Sequence, residues 1–185
     1  LASTPVNQMP PFQVVSVGRL AKEKQQAQLI QAVAASPFKN DIRLTVAGTG
    51  PQEESLIRLA AALKVEAEIG RVSDERLKTL YQTADIFVQT SAVELEGMSV
   101  LEAMAAGCPV LINQSITSAV PEFVTAPEAT YAMNDEEDLR RKLDAMLADH
   151  VLRAAAGRGN RKIAQSRHHD RSVNSLADIY QRVLS

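Results

Sequence analysis

The stretch E-L-E-G-M-S-V-L-E-A-M-A-A-G-C-P, residues 94–109, is the part of the chain from which the rest is read. It starts as a polar loop after an apolar run and enters a helix near Ser99. Gly107 ends that helix, and Pro109 leads into a second apolar run. Glu94 falls in the loop and Glu102 in the first turns of the helix, eight positions later. Between them lie Gly97 and the backbone amides of Met98, Ser99 and Val100. Amides at a helix start lack intrahelical partners, and the helix dipole adds partial positive charge there. Such a place suits a phosphate, and the flanking carboxylates suit hydroxyl donors. The expected ligand is anionic in the middle and hydroxylated at both ends, as a nucleoside diphosphate sugar is.

Outward from this stretch, short apolar runs alternate with helical spacings. Strands are expected at 13–17, 41–47, 65–69, 86–89, 109–112 and 129–132. Helices are expected at 25–36, 52–63, 73–83, 135–148, 151–165 and 172–184, with a short one at 119–124. Ser73 reads as an N-cap before an acidic first turn. The alternation predicts an α/β fold: a Rossmann-like, doubly wound parallel sheet of about six strands with helices on both faces. Ligands of such sheets bind outside the C-terminal strand ends, which here means the loops starting at Gly18, Gly48, Gly70, Thr90 and Asn113.

With 185 residues and 45% hydrophobic content the chain fits one domain with a real core. A net charge of −2 gives no nucleic-acid signal, and no apolar run approaches the ~18 residues of a membrane span. The single cysteine, Cys108, excludes an internal disulfide, reads as a buried free thiol and suits a reducing cytoplasm. Residues 1–12 hold three prolines with little periodicity and read as an interdomain linker, leaving 13–185 as the folded domain of a longer protein.

Four loops are candidates for chemistry. In G-R-L-A-K-E-K, Arg19 and Lys24 bracket a helix start and suit a diphosphate; a solvated loop is the plainer reading. In A-G-T-G-P, Gly48 and Gly50 permit a tight turn or a close approach to ligand, without the third glycine of the dinucleotide fingerprint. In I-G-R-V-S, the backbone of Arg71 or Val72 is placed to meet a nucleobase edge. The fourth is 94–109.

These pieces, taken in order, resemble the C-terminal, donor-binding domain of retaining GT-B glycosyltransferases, family 4, with the glycosyl transferases group 1 domain. The resemblance rests on V-G-R-L-x-x-x-K at 17–24, V-A-G-T-G-P at 46–51, G-R-V-S at 70–73, L-Y-Q-T-A-D-I-F-V-Q-T-S at 80–91 and E-x-E-G-M-S-V-L-E-A-M-A-A-G-C-P-V at 94–110. It implies that Arg19 and Lys24 meet the donor diphosphate, that Gly18 belongs to the donor-binding set, and that Val72 meets the base through its backbone. It also implies that Glu94 addresses the donor sugar, that Gly97, Met98, Ser99 and Val100 present amides to sugar and phosphates, and that Glu102 takes the ribose hydroxyls. Arg19, Lys24 and Glu94 then form the catalytic set, the two cations stabilising the leaving diphosphate.

The sequence departs from the family pattern in three places: Gln25 follows Lys24 where glycine is frequent, Glu96 stands where phenylalanine often precedes the sugar-binding glycine, and residues 113–119 lack the usual two glycines. The resemblance further implies no metal or other cofactor, an acceptor domain N-terminal to this chain, and a nucleotide-sugar donor with UDP as the default base. The acceptor expected is a hydroxyl on a glycan or lipid-linked molecule of the cell envelope or an exopolysaccharide, and the isolated chain is expected to transfer sugar poorly. A non-catalytic nucleotide-sugar binding module is the alternative. Arg153, Arg158, Arg161, Lys162, Arg167 and Arg171 form a basic run that suits either a solvated helix face, a contact with the N-terminal domain, or anionic headgroups at the inner face of a membrane.

Overall fold

The structure is a computed structural model that describes residues 9–166, apart from 95, 119 and 125. The expected helix at 172–184, Arg167 and Arg171 of the basic run, and most of the expected linker lie outside the described residues. In chain order the elements are β1 (Phe12–Val17), α1 (Gln26–Ala35), β2 (Ile42–Ala47), α2 (Glu53–Ala62), β3 (Ala67–Gly70), α3 (Asp74–Thr83), β4 (Ile86–Gln89), α4 (Met98–Ala106), β5 (Val110–Gln114), β6 (Thr130–Ala132), α5 (Glu136–Ala148) and α6 (His150–Ser166). Short 3₁₀ turns include Lys22–Lys24 and Val120–Phe123.

All six strands are parallel, in the order β3-β2-β1-β4-β5-β6. The chain winds outward from β1 to β3, returns to the centre at β4 and winds out the other way. That reversal opens a crevice above the C-terminal ends of β1 and β4. The central strands are buried on both faces, so they read as apolar runs and not as strict alternation. One core packs Leu29, Ile30 and Val33 of α1 and Leu139 and Leu143 of α5 against Val14, Leu44, Ile86 and Leu111. The opposite core packs Leu80 and Tyr81 of α3 and Val100 and Met104 of α4 against Val15, Phe87, Val110 and Ile112.

Capping explains several helix starts. Ser73 accepts from the Arg76 amide at 3.2 Å, as expected, and Asp135 does the same for the Asp138 amide at 2.9 Å. β5 runs two residues past its expected end. Its last residues are polar, and the Gln114 side-chain Nε2 donates to Thr130 Oγ1 at 2.9 Å on the neighbouring strand. The loop above it therefore begins at Ser115, beyond the expected Asn113. Phe12, expected in the linker, opens β1 and is buried.

The basic run divides: Arg158 and Lys162 are exposed, as on a solvated face, whereas Arg153 and Arg161 turn inward. Arg153 is fully buried, and its Nη1 donates to the carbonyls of Met146 and Leu147 at 2.6 Å each. Those carbonyls close α5, where a helix leaves acceptors unpaired and carries partial negative charge. The guanidinium also lies 5.1 Å from the Phe12 ring centroid. Further along α6, Asn160 and Arg161 donate to the carbonyls of Cys108 and Ala106, which lie at the end of α4 and just beyond. A Cβ at Gly157 would stand 2.3 Å from the Gly107 carbonyl oxygen, so glycine lets the two segments touch. Cys108 is buried, and burial pushes its thiol well above the usual range.

Candidate functional site

The loops above β1, β2, β3 and β4 and the start of α4 surround two adjoining clefts that share Val17. The larger, of 390 Å³, is lined by Val17, Gly18, Lys24, Glu94, Glu96, Met98 and Ser99. The smaller, of 190 Å³, is lined by Val17, Ala47, Gly48, Thr49, Arg71, Val72 and Leu77. Glycine, lysine and glutamate residues that the sequence carries far apart meet in the first cleft. The expected base-reading residues meet in the second.

Lys24 Nζ lies 2.6 Å from Glu94 Oε2, with each side chain 21% exposed. An ammonium has three N–H donors and a carboxylate has two oxygens. The pair therefore keeps donors and an acceptor free for a ligand while remaining joined. Lys24 sits in the 3₁₀ turn Lys22–Lys24, which ends at Gln25 in the left-handed region with φ 51°. Glycine takes that conformation at least cost. Here the Gln25 side-chain Nε2 donates to Asn134 Oδ1 at 3.0 Å, and its backbone N–H donates to the Lys22 carbonyl at 3.2 Å. Glu94 follows β4 and forms a parallel bridge with Ser118 of the loop after β5.

Gly97 is the N-cap of α4, with φ 63° and no side-chain cap. The Val100 amide is taken by the Gly97 carbonyl at 2.9 Å, and the Val100 side chain is fully buried. Val100 thus belongs to the helix and the core, contrary to the expectation of a free amide there. Met98 and Ser99 stand at the open first turn and line the cleft.

The glycines divide by role. A Cβ at Gly18 would meet no atom within 4 Å, so its open side gives onto the cleft it lines. A Cβ at Gly48 would stand 1.9 Å from the Gly18 carbonyl oxygen, and one at Gly50 would stand 2.3 Å from the Leu20 carbonyl oxygen. Gly48 and Gly50 let the loops above β1 and β2 run side by side, joined by Leu20 N to Thr49 O at 2.9 Å and Gln52 N to Leu20 O at 2.9 Å. Gly50 lines neither cleft, and Gly48 borders the smaller one.

Arg19 is exposed and Glu102 lies outward on α4; neither lines the two clefts. Glu102 Oε2 accepts from Tyr81 Oη at 2.8 Å. Burial, and next that bond, raise the Tyr81 phenol well above its ordinary value, so it stays a donor. In the sequence Tyr81 falls within the helix expected at 73–83, beside Leu80. Its apolar spacing gave no sign that the hydroxyl reaches a carboxylate 21 residues on. Glu96, which lines the larger cleft, was visible in the sequence as a departure from the family pattern.

Among the described residues no group of three or more His, Cys, Asp and Glu side chains is arranged to hold a metal ion. No helix among them is long and apolar enough to cross a membrane.

Comparison with known proteins gives the same picture. Residues 4–163 match the family model described as glycosyl transferases group 1. A GDP-mannose-dependent alpha-(1-6)-phosphatidylinositol dimannoside mannosyltransferase of Mycobacterium tuberculosis is 30% identical over 169 residues, 90% of this chain and 40% of that protein. The alpha-monoglucosyldiacylglycerol synthase of Acholeplasma laidlawii is 31% identical over 137 residues, 71% of this chain and 34% of that protein. The chain therefore spans well under half the length of these relatives. Among solved structures, the catalytic domain of the cholesterol-alpha-glucosyltransferase from Helicobacter pylori superposes with a TM-score of 0.82 at 34% identity, over 85% of this chain and 99% of that one. The chain belongs to the glycosyl transferases group 1 family and has the Rossmann-like architecture of a C-terminal GT-B domain.

Proposed function

We propose that this member of the glycosyl transferases group 1 family is the donor-binding half of a retaining glycosyltransferase that moves a sugar from a nucleoside diphosphate sugar to a hydroxyl acceptor. The observation that carries the proposal is the meeting of Lys24 and Glu94 at 2.6 Å in the larger cleft, beside Gly18 and the start of α4. In this reading the diphosphate lies against Lys24, the Gly18 backbone and the first turn of α4. Arg19 swings in from the rim. Negative charge that develops on the leaving diphosphate is stabilised by these cations and by the helix dipole. Glu94 accepts from a donor-sugar hydroxyl with its free oxygen. The base occupies the smaller cleft against Arg71 and Val72, and Glu102 takes the ribose hydroxyls.

No metal is assigned a role, because Lys24, Arg19 and the helix start supply the positive charge. The acceptor sits on an N-terminal domain outside this chain, so the isolated chain turns over poorly. Relatives named for phosphatidylinositol dimannoside and monoglucosyldiacylglycerol chemistry favour a lipid-linked acceptor in envelope glycan assembly, reached from the cytoplasmic side. UDP is the default base, and the GDP-mannose relative makes GDP its competitor.

The test is a thermal-shift panel of UDP, GDP, ADP and their sugars, run with magnesium and with chelator. A ligand that binds the native state alone stabilises it by about 2.7 kcal/mol at a hundred times its Kd. One responding nucleotide, unaffected by chelator and lost in Lys24→Ala, is the expected result. No response at millimolar ligand from the full-length protein would overturn the proposal.

A further inference from the structure

Lys24 and Glu94 come from loops 70 residues apart, and those loops are tied together beneath the ion pair. Thr90 Oγ1 donates to the Lys24 carbonyl at 2.7 Å. Two residues on, the Ala92 amide donates to the Glu23 carbonyl at 2.9 Å. Thr90 is 2% exposed, so its bond is shielded from water. The β4 loop is itself anchored from β5. Asn113 Nδ2 donates to the Thr90 carbonyl at 3.1 Å, and both Ser115 Oγ and Thr117 Oγ1 donate to the Ala92 carbonyl. The Lys22–Lys24 turn thus hangs from a braced strand end, and among the described residues Thr90 supplies the side-chain bond to its backbone.

We propose that Thr90 is a positioning residue for Lys24. A lysine carries a point charge on a flexible four-carbon stem, so where its Cα sits decides which ligand oxygen the ammonium reaches. Thr90 holds the backbone of that residue at the height where the ammonium meets Glu94 and faces the cleft. This inference rests on the reading of Lys24 as a diphosphate contact. Small displacements of a positioned charge have large effects on a bound polar ligand.

The experiment titrates the chain and its variants calorimetrically with UDP, GDP and ADP and with the matching nucleosides, well below each melting temperature. Thr90→Val keeps the shape and removes the hydroxyl. It is expected to lower affinity for the responding diphosphate about tenfold, the effect of losing roughly one hydrogen bond, and to leave nucleoside affinity unchanged. Thr90→Ser is expected to bind within about twofold of the parent. Lys24→Ala and the double variant Lys24→Ala/Thr90→Val are expected to bind equally, because Thr90 acts through Lys24. If the valine variant does not fold, Thr90→Ala takes its place. Binding of the valine variant like the parent, equal weakening of nucleoside and diphosphate, failure of the serine rescue, or additive losses in the double variant would each overturn the inference alone. A parent that binds none of the three diphosphates, as the chain and as the full-length protein, would remove the site reading, and this inference with it.

Discussion

Tyr81 Oη and Glu102 Oε2 are 2.8 Å apart, so the carboxylate expected to take the ribose hydroxyls is held by a tyrosine from the neighbouring helix. The phenol is buried and the carboxylate exposed. The bond orients one oxygen of Glu102 and leaves the other for a ligand. Tyr81→Phe is expected to weaken binding of the responding nucleotide several-fold. Because water replaces the lost donor at an exposed carboxylate, stability is expected to change by no more than about 1 kcal/mol. Parallel nucleotide titration and urea unfolding separate the two effects.

Substitutions at the three loop glycines are expected to rank by what a methyl group meets. Gly48→Ala and Gly50→Ala drive a Cβ against the Gly18 and Leu20 carbonyl oxygens, both part of the loop scaffold. Each is expected to lose about 3 kcal/mol from overpacking and strained backbone together. Gly18→Ala meets no atom within 4 Å. It shares their backbone strain at φ 156° but not their clash, so it is expected to lose less stability than either and to lose donor affinity at the cleft it lines. Equal urea midpoints for all three variants would contradict this ranking.

Arg153 is expected to be a stability residue with no part in membrane binding. Replacement by methionine keeps much of the volume but leaves the Met146 and Leu147 carbonyls without their guanidinium donor. An unpaired buried acceptor costs about 1–3 kcal/mol, so Arg153→Met is expected to lose about 2–4 kcal/mol. Retention of anionic vesicles by the parent but not by a folded Arg153→Met chain would argue for the opposite role.

The start of α5 is expected to be acid-sensitive. Burial works to raise the Asp138 carboxyl, but the Ala132 amide and the Arg141 guanidinium outweigh it and hold the group below its ordinary value. The hydrogen bond from Arg140 lowers Glu137 in the same way. A carboxyl depressed in the folded state contributes stability that is complete above its unfolded value, about 4, and is lost as pH falls through the folded value. The urea midpoint should therefore fall between pH 5 and pH 3, and Asp138→Asn should flatten that fall. A midpoint with the same pH slope in both chains would remove Asp138 from the account.

The alternation of strands and helices was readable because each element carries its own period. Val14, Leu44 and Ile86 lie in runs too short and apolar for helix, and Leu139, Leu143, Met146 and Leu147 recur at helical spacing. Ser73 and Gly107 marked helix ends through local chemistry that needs no distant partner. Likewise, the motifs at 17–24 and 94–110 carried the family, since each is a contiguous stretch at a strand end.

Contacts across the fold were not readable in this way. Nothing local to Lys24 announces Glu94, and nothing at Thr90 announces the Lys24 carbonyl, because parallel pairing joins strands through crossovers of tens of residues. Arg153 read as a surface charge since arginine is rarely fully buried. Only the placement of α6 against the end of α5 supplies carbonyls that make its burial favourable. Gly48 and Gly50 were legible as turn glycines, but their need to be glycine comes from carbonyls on another loop. Short-range periodicity and capping thus specified the elements and the family of this chain. The site's geometry, with its braced lysine, its tyrosine-held glutamate and its shared Val17 wall, arises from packing between segments whose separation in sequence hides their meeting.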